Sequence, residues 1–159
     1  MNKIAIIGIS GSGKTTLSRR LAEKTHLPLF HMDRLFWRGN WQAVPEAEYW
    51  LQHQELLTND KWIIEGYVDE KMSDRLQKAD QIIYLDYPGI FCAWRLILRW
   101  LKHRKVSRPE MTKEALDEFL PKFWWMVLWR GERNDIELAL KHIDRQKVMR
   151  TRSPRELEF

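Results

Sequence analysis

The most informative residues of this chain are Gly8-Ile9-Ser10-Gly11-Ser12-Gly13-Lys14-Thr15, which spell the pattern G-x-x-x-x-G-K-T. This spacing is typical of a phosphate-binding P-loop. The apolar, β-branched run over residues 3–7 predicts a buried parallel strand directly before the loop. A helical pattern follows over residues 15–24, with Leu17, Leu21 and Ala22 on one stripe. Strand, glycine loop and helix therefore come in the order that phosphate binding requires.

The loop predicts how a nucleotide would be held. Glycines allow backbone N–H groups to turn inward around an anion, and the helix dipole adds to the attraction. The residues expected to bind the phosphates are Gly8, Ser10, Gly11, Ser12, Gly13, Lys14, Thr15 and Thr16. Among them, Lys14 would reach the β- and γ-phosphates, and the hydroxyl of Thr15 would bind Mg²⁺.

Length and composition predict one folded domain over residues 1–159, because 44% of the 159 residues are hydrophobic. The single cysteine, Cys92, cannot form an internal disulfide, and no signal peptide is evident, so we expect a reducing, cytoplasmic location. No stretch reaches the roughly 18 apolar residues of a membrane span, and no membrane partner is expected.

The net charge of +5 is compatible with two kinds of partner, nucleic acid or a polyanionic nucleotide. Basic residues group over 95–108 and 145–155 rather than in one tract. Because the P-loop already requires an anion site, we favour a nucleotide over DNA, and no helix-turn-helix is evident.

The chain contains nine tryptophans, most of which we expect to pack in the core or between helices. Trp37 and Trp41 have an alternative role as the wall of a flat substrate site. The tryptophan-rich segment 122–130 would cover either the core or a dimer surface, so both a monomer and a homodimer are compatible with the sequence.

Further strands are predicted over residues 27–31, 62–64, 81–85 and 147–149. Between them lie a loop over 34–44 and helices over 45–57, 69–78, 90–104 and 136–142, with another helix from residue 112 that Pro121 should kink or restart. Strands that alternate with helices indicate an α/β fold with a mainly parallel sheet, whose functional site lies at the carboxyl ends of the strands.

Three acids end predicted strands at this edge. Asp33 would bind the acceptor hydroxyl or take its proton during phosphoryl transfer, and the alternative is a turn aspartate that caps the next segment. Glu65 and Asp86 each follow an apolar run, as expected for the acid that organises the Mg²⁺ shell. The pattern alone does not choose between Glu65 and Asp86.

Arg95 and Arg99 are four residues apart and share one helix face. They would either clamp the transferring phosphate or form a solvated face. Trp94, Leu98 and Leu101 lie on the opposite face, which we expect to pack and so to turn the arginines outward or toward the cleft.

Several motifs together resemble the adenylate-kinase-related P-loop kinases, and most closely the bacterial DNA topology modulation protein (FlaR-like) family. They are the segments 7–16 (IGISGSGKTT), 28–33 (PLFHMD), 62–67 (WIIEGY) and 83–88 (IYLDYP), together with Trp94-Arg95 and Arg152-Ser153-Pro154. The likeness covers nearly the whole chain. It implies a three-layer αβα sandwich with about five parallel strands and a small helical lid over approximately residues 95–130.

The resemblance also implies individual roles. Glu65 takes the Walker B position, where the family more often has Asp, and Arg95, Arg99 and Arg104 belong to the lid. Arg152 and Pro154 lie in a loop beside the adenine ring, and Asp33 matches the acid on the acceptor side. Adenylate kinases have Gly-Phe-Pro-Arg after the strand acid, whereas residues 66–69 here read Gly-Tyr-Val-Asp. The arginine that grips the acceptor phosphate is therefore missing, with Arg75, Arg34 or Arg38 as possible substitutes.

The sequence thus predicts an ATP-dependent, Mg²⁺-requiring kinase that acts on a small-molecule phosphate acceptor. Lys14, Asp33, Arg95 and Arg99 would be its catalytic residues, and Thr15 and Glu65 would organise the metal. The alternative function is a nucleotide-dependent regulatory ATPase associated with DNA topology.

Overall fold

The structure is a computed structural model that describes residues 1–39, 41–103, 105 and 120–157. Its strands are β1 (Lys3–Gly8), β2 (Leu29–His31), β3 (Trp37–Arg38), β4 (Gln42–Ala43), β5 (Trp62–Glu65), β6 (Gln81–Leu85) and β7 (Val148–Thr151). Its helices are α1 (Lys14–Thr25), α2 (Met32–Phe36), α3 (Glu46–Leu56), α4 (Asp74–Lys78), α5 (Gly89–His103), α6 (Pro121–Leu128) and α7 (Arg133–Leu140). Two short 3₁₀ turns flank β7, at Arg145–Lys147 and Pro154–Glu156.

Five strands form one parallel sheet in the order β2–β5–β1–β6–β7, which confirms the predicted α/β fold with a five-stranded parallel sheet. The chain passes to one side of β1 for β2 and β5, and to the other side for β6 and β7. The direction of winding therefore reverses at β1. Its carboxyl end is the switch point at which open α/β sheets bind their ligands.

The core lies along the central strands. Ile4, Ile6 and Ile7 of β1 are completely buried, as are Trp62 and Ile63 of β5. Such continuous apolar runs are typical of parallel strands that are covered on both faces. Helix α1 packs against β1, β2 and β5, and α4 and α7 contact β1. Helices thus flank the sheet and leave the strand ends to form the site.

Segment 34–44 differs from the loop expected there. It contains most of the short helix α2 and an antiparallel hairpin, in which Trp37 pairs with Ala43. The predicted helix over 69–78 is confined to α4, because the Asp69 carboxylate accepts a hydrogen bond from the Met72 N–H (2.9 Å) and forms a local turn. Helix α7 begins earlier than predicted, at Arg133.

Helix α5 occupies the predicted segment, but the expectation for its faces is wrong. The side chains expected to pack are about half exposed: Trp94 (57%), Leu98 (49%) and Leu101 (50%). Cys92 and Leu96 are buried instead, because they pack against the P-loop at Gly11. Arg95 and Arg99 follow these two residues by three positions and are half-buried. The arginines therefore belong to the side of α5 that approaches the loop.

Pro121 opens α6 at its first helical position, where its missing N–H costs no hydrogen bond. The part of the predicted helix that lies before Leu120 falls outside the described residues, as does Arg104. Over the described segments, none of the helices combines the length and the apolar character needed to cross a membrane.

Candidate functional site

The P-loop joins the carboxyl end of β1 to the first turn of α1. Gly11 and Gly13 have positive φ angles, +78° and +100°, which side chains other than glycine rarely adopt. A Cβ atom on Gly11 would also lie 2.4 Å from the carbonyl oxygen of Cys92. Helix α1 starts at Lys14, directly after these glycines, so its free N–H groups border the loop. Positive-φ glycines and the free N–H groups of α1 therefore lie together at the carboxyl end of β1.

Lys14 already points along this loop. Its Nζ donates hydrogen bonds to the carbonyl oxygens of Gly8 (2.9 Å) and Ile9 (3.0 Å). The ammonium group therefore lies at the Gly8–Ile9 end of the loop. In this motif the lysine reaches the β- and γ-phosphates of a nucleotide.

Thr15 and Glu65 come together beside the loop, although 50 residues separate them in sequence. The Thr15 hydroxyl donates to Oε1 of Glu65 (3.2 Å), and Nδ1–H of His31 donates to the same oxygen (2.6 Å). Burial alone raises the pKa of the Glu65 carboxyl. The hydrogen bond from His31 and the charge of Lys14 outweigh burial, so the pKa lies below its usual value. Glu65 is therefore a buried, ionised carboxylate.

Asp86, the other strand-end acid, has different surroundings. Its carboxylate pairs with Arg130 and with Arg133 (3.2 Å) at one oxygen, and with Arg150 (2.6 Å) at the other. Arginine side chains therefore engage both of its oxygens. Of the two acids that the sequence left as alternatives, only Glu65 lies against the Thr15 hydroxyl.

Hard oxygen donors are the ligands that Mg²⁺ prefers, and Thr15 with Glu65 provides a hydroxyl and a carboxylate at one point. Among the described residues, no group of three or more His, Cys, Asp or Glu side chains could hold a metal ion. One hydroxyl and one carboxylate, without a larger cluster of protein ligands, fit Mg²⁺, which is usually bound by one or two carboxylates together with water and substrate phosphates.

Arg95 lies over the start of α1. A Cβ atom on Gly13 would be 2.9 Å from Nη2 of Arg95, which places the guanidinium against the loop. Arg95 also borders a cavity of about 200 Å³ whose walls include Thr16, Tyr87 and Pro154. Apolar and aromatic walls with a basic rim are suited to a nucleoside whose phosphates extend into the loop.

The remaining predicted residues lie around this centre. Arg99 follows Arg95 by one helical turn and does not border the cavity, and Arg152 is exposed next to Pro154. Asp33 lies in the first turn of α2, directly after β2. Trp37 and Trp41 pack edge to face, with ring centroids 5.5 Å apart.

Arg75 does not present its guanidinium to an acceptor. It is completely buried and donates hydrogen bonds to the carbonyl oxygens of Met72 (3.1 Å), Gly66 (3.4 Å) and Tyr67. Its role is to fix the segment that follows β5. The suggestion that Arg75 replaces the missing acceptor arginine is therefore not supported by its geometry.

Sequence reasoning missed the segment that precedes and opens α7. The Glu132 carboxylate accepts hydrogen bonds from Ser10 of the P-loop, Arg133 pairs with Asp86, and Asp135 accepts a hydrogen bond from the Tyr67 hydroxyl (2.7 Å). These contacts span 47 to 122 residues along the chain. No local pattern in residues 130–135 predicts these long-range contacts, since Gly131 indicates only a break between helices.

Two solved structures have similar folds. One is a crystal structure of a candidate kinase of Chloroflexus aurantiacus, with 20% identity, coverage of 99% of this chain and 91% of that chain, and a TM-score of 0.65. The other is the YorR protein of Bacillus subtilis in complex with phosphorylated GDP, with 13% identity, coverage of 94% and 84%, and a TM-score of 0.60. No protein-family model and no curated protein matches the sequence. The likeness extends over nearly the whole chain and establishes a fold shared with kinase-like proteins.

Proposed function

We propose that this protein is a P-loop phosphotransferase that uses ATP and Mg²⁺ and transfers the γ-phosphoryl group to a small-molecule acceptor. One observation carries the proposal. The Lys14 ammonium lies within the phosphate loop, while the Thr15 hydroxyl meets the buried carboxylate of Glu65 beside it. A cation and a pair of hard oxygen donors are thus assembled around one anion cradle, as phosphoryl transfer requires.

The donor nucleotide would enter from the side of α1 and β7. Its base and ribose would occupy the cavity bordered by Thr16, Tyr87 and Pro154, with the exposed Arg152 two residues before Pro154. Its phosphates would lie along residues 8–16, where backbone N–H groups and the start of α1 supply positive potential.

Thr15 and Glu65 would hold the metal, Thr15 through its hydroxyl and Glu65 as the acid of the Mg²⁺ shell. When bound, the ion neutralises charge on the β- and γ-phosphates. His31 keeps the Glu65 carboxylate in place through the 2.6 Å hydrogen bond to Oε1.

Lys14 and Arg95 would stabilise the charge on the transferring group, since both cations lie against the loop. Arg99, one turn farther along α5, would join them when the nucleotide is bound, and Arg104 remains a proposal from the sequence. Asp33, after β2, would orient the acceptor hydroxyl and accept its proton as the new P–O bond forms. We assign these roles within a single domain over residues 1–159.

The acceptor class is inferred from the surroundings of Asp33, where two of the three candidate arginines are engaged elsewhere and the third, Arg34, is exposed beside Asp33. Arg75 bonds to backbone carbonyls and Arg38 pairs with Glu48. We therefore propose an acceptor whose hydroxyl group Asp33 binds, a nucleoside, a nucleotide or another hydroxyl compound, with Arg34 as the arginine available to a phosphate on it. Membership of the topology-modulation (FlaR-like) group of adenylate-kinase relatives is part of this proposal.

Phosphoryl transfer from labelled ATP·Mg²⁺ to a panel of nucleosides, nucleotides and sugar acids tests the proposal. We expect one acceptor class to be labelled, and we expect Lys14→Ala and Asp33→Ala to abolish labelling. The matched controls are Lys61→Ala and Asp60→Ala, which remove the same side chains from an exposed turn. A protein that labels no acceptor but hydrolyses ATP faster with DNA would instead be the regulatory ATPase.

A further inference from the structure

The P-loop carries an acidic side chain from a distant part of the chain. The Glu132 carboxylate accepts a hydrogen bond from the backbone N–H of Ser10 at 2.5 Å and another from the Ser10 hydroxyl at 2.9 Å. Both carboxylate oxygens are used, one for each donor. A carboxylate thus occupies a backbone donor of the loop whose sequence is typical of phosphate binding.

The position of Ser10 along the loop indicates which phosphate its backbone N–H would contact. The Lys14 ammonium lies within 3.0 Å of the Gly8 and Ile9 carbonyl oxygens, immediately before Ser10. In this motif the backbone N–H groups cradle the α- and β-phosphates, and the lysine reaches the β- and γ-phosphates. Ser10 therefore belongs to the end of the loop that faces the terminal phosphate of a triphosphate.

Glu132 is held at this place by its neighbours. Arg133 donates to Asp86 (3.2 Å), and Asp135 accepts from the Tyr67 hydroxyl (2.7 Å). Two segments that follow strand ends therefore hold the first turn of α7 directly after Glu132. The carboxylate does not reach Ser10 as a loose surface side chain, since the backbone on its carboxyl side is tied down.

We propose that Glu132 is a specificity-determining residue that occupies the place of the γ-phosphate and so discriminates between nucleoside triphosphates and diphosphates. The inference rests on the proposed nucleotide site. A triphosphate brings its terminal charge against the Glu132 carboxylate and competes for the Ser10 donors, whereas a diphosphate leaves both in place. Glu132 therefore weakens triphosphate binding relative to diphosphate binding as long as its carboxylate remains on Ser10.

Calorimetric titration with a non-hydrolysable ATP analogue and with ADP, each with Mg²⁺, tests the inference. The full-length protein is compared with Glu132→Gln, which removes the charge, and with Glu132→Ala, which removes the hydrogen bonds as well. We expect both variants to bind the triphosphate about tenfold more tightly, equivalent to the loss of one like-charge contact, and ADP within about twofold of the original affinity. Glu55→Gln, the same change at an exposed position of α3, should leave the triphosphate-to-diphosphate ratio unchanged.

Four results would overturn the inference. If Glu132→Gln binds both nucleotides as the original protein does while Glu132→Ala binds both more weakly, the residue only supports the structure of the loop. If Glu132→Gln binds the triphosphate more weakly than the original protein does, the carboxylate assists triphosphate binding. If every variant binds both nucleotides with the same ratio, this inference fails but the proposed nucleotide site stands. If neither nucleotide binds to any variant that melts as the original protein does, the proposed function fails too.

Discussion

His53, in α3, is a completely buried histidine that carries no hydrogen bond on either ring nitrogen among the residues described. Burial lowers its pKa to about 4, and the charge of Arg75 acts in the same direction, against the weaker effect of Asp74. The imidazole is therefore neutral in the folded protein at pH 7. In the unfolded chain it titrates near its ordinary pKa of 6.5.

This difference predicts a loss of stability in mild acid. Between pH 6.5 and 4 the unfolded chain binds a proton at His53 that the folded protein does not, so the free energy of unfolding falls as the pH falls. Between pH 7 and pH 4, we expect His53 to lower the free energy of unfolding of the original protein by on the order of 1–3 kcal/mol. The variant His53→Leu should not show this part of the decrease. Urea unfolding at a series of pH values measures it.

The control for this experiment is His142→Gln, at an exposed histidine. It should leave the pH dependence of the unfolding free energy unchanged. A pH dependence that is identical in the original protein and in His53→Leu would mean that His53 is not buried in neutral form.

Glu65 carries a second prediction at this scale. Glu65→Gln keeps the shape of the side chain but removes the charge that we assign to the metal shell. We expect Mg²⁺ to be bound about 10–100-fold more weakly with nucleotide present, whereas nucleotide binding without metal should be little changed. Titration of nucleotide at several Mg²⁺ concentrations separates the two, with Glu55→Gln as an exposed control. An unchanged dependence on Mg²⁺ would remove Glu65 from the metal site.

The sequence could predict which residues form the P-loop but not which of the two acids at strand ends lies beside it. Glu65 and Asp86 each end an apolar strand, and the pattern around them is the same. The residues that distinguish them are distant in the chain, because Thr15 and His31 lie against Glu65 whereas Arg130 and Arg150 lie against Asp86. Such long-range partners leave no trace in local spacing. The contact between Glu132 and Ser10 was missed for the same reason.

At the scale of elements, α5 and α6 meet at Gly89. A Cβ atom at this position would lie 2.0 Å from the carbonyl oxygen of Leu128, an approach that requires the two helices to shift. Gly89 is buried at the position where α5 begins. The close packing of these helices therefore depends on the absence of a side chain here.

We predict that Gly89→Ala lowers the free energy of unfolding by about 1–3 kcal/mol, the usual cost of overpacking against a backbone that cannot yield. Gly131→Ala is a matched control, since the nearest atom to its Cβ would be the flexible Cγ of Met126 at 2.9 Å, with the Met126 carbonyl oxygen at an ordinary contact distance of 3.5 Å. Urea unfolding of the two variants gives the comparison. Equal small losses in both would mean that α5 and α6 are free to separate at Gly89.

The sequence predicted most elements correctly because apolar β-branched runs and helical stripes are strong local signals. The hairpin of β3 and β4 was missed, since each strand has two residues and no period can be read over that length. The faces of α5 were assigned wrongly because hydrophobicity alone predicts that Trp94 and Leu98 pack inward. The position of α5 is set instead by the contact of Cys92 with the P-loop, which turns the arginine side toward the site.

For the whole molecule, the alternation of strands and helices was enough to predict a parallel α/β sheet. The order β2–β5–β1–β6–β7 was not predicted, because strand neighbours are chosen by packing between distant segments rather than by local pattern. That order nevertheless has a functional consequence. It brings the ends of β1 and β5 side by side, and with them the P-loop and Glu65.

The burial of each tryptophan predicts how much it contributes to the free energy of unfolding. Trp62 is completely buried in β5 beside the central strand, whereas Trp129 follows α6 with 76% of its surface exposed and stacks on Trp125. Trp62→Ala should lower the free energy of unfolding by about 3–5 kcal/mol, because a large cavity would open in the core. Trp129→Ala should change it by less than about 0.5 kcal/mol, as expected for an exposed position.

Urea unfolding of both variants at two protein concentrations checks this contrast, and the same residue type serves as the internal control. Trp62→Ala should lose the same stability at either concentration, because the strand is covered by its own chain. A large loss for Trp129→Ala that grows with concentration would contradict the prediction, since it would require this tryptophan to be covered by a second copy in solution. A loss independent of concentration and equal to that of Trp62→Ala would place α6 within the cooperative core of the sheet.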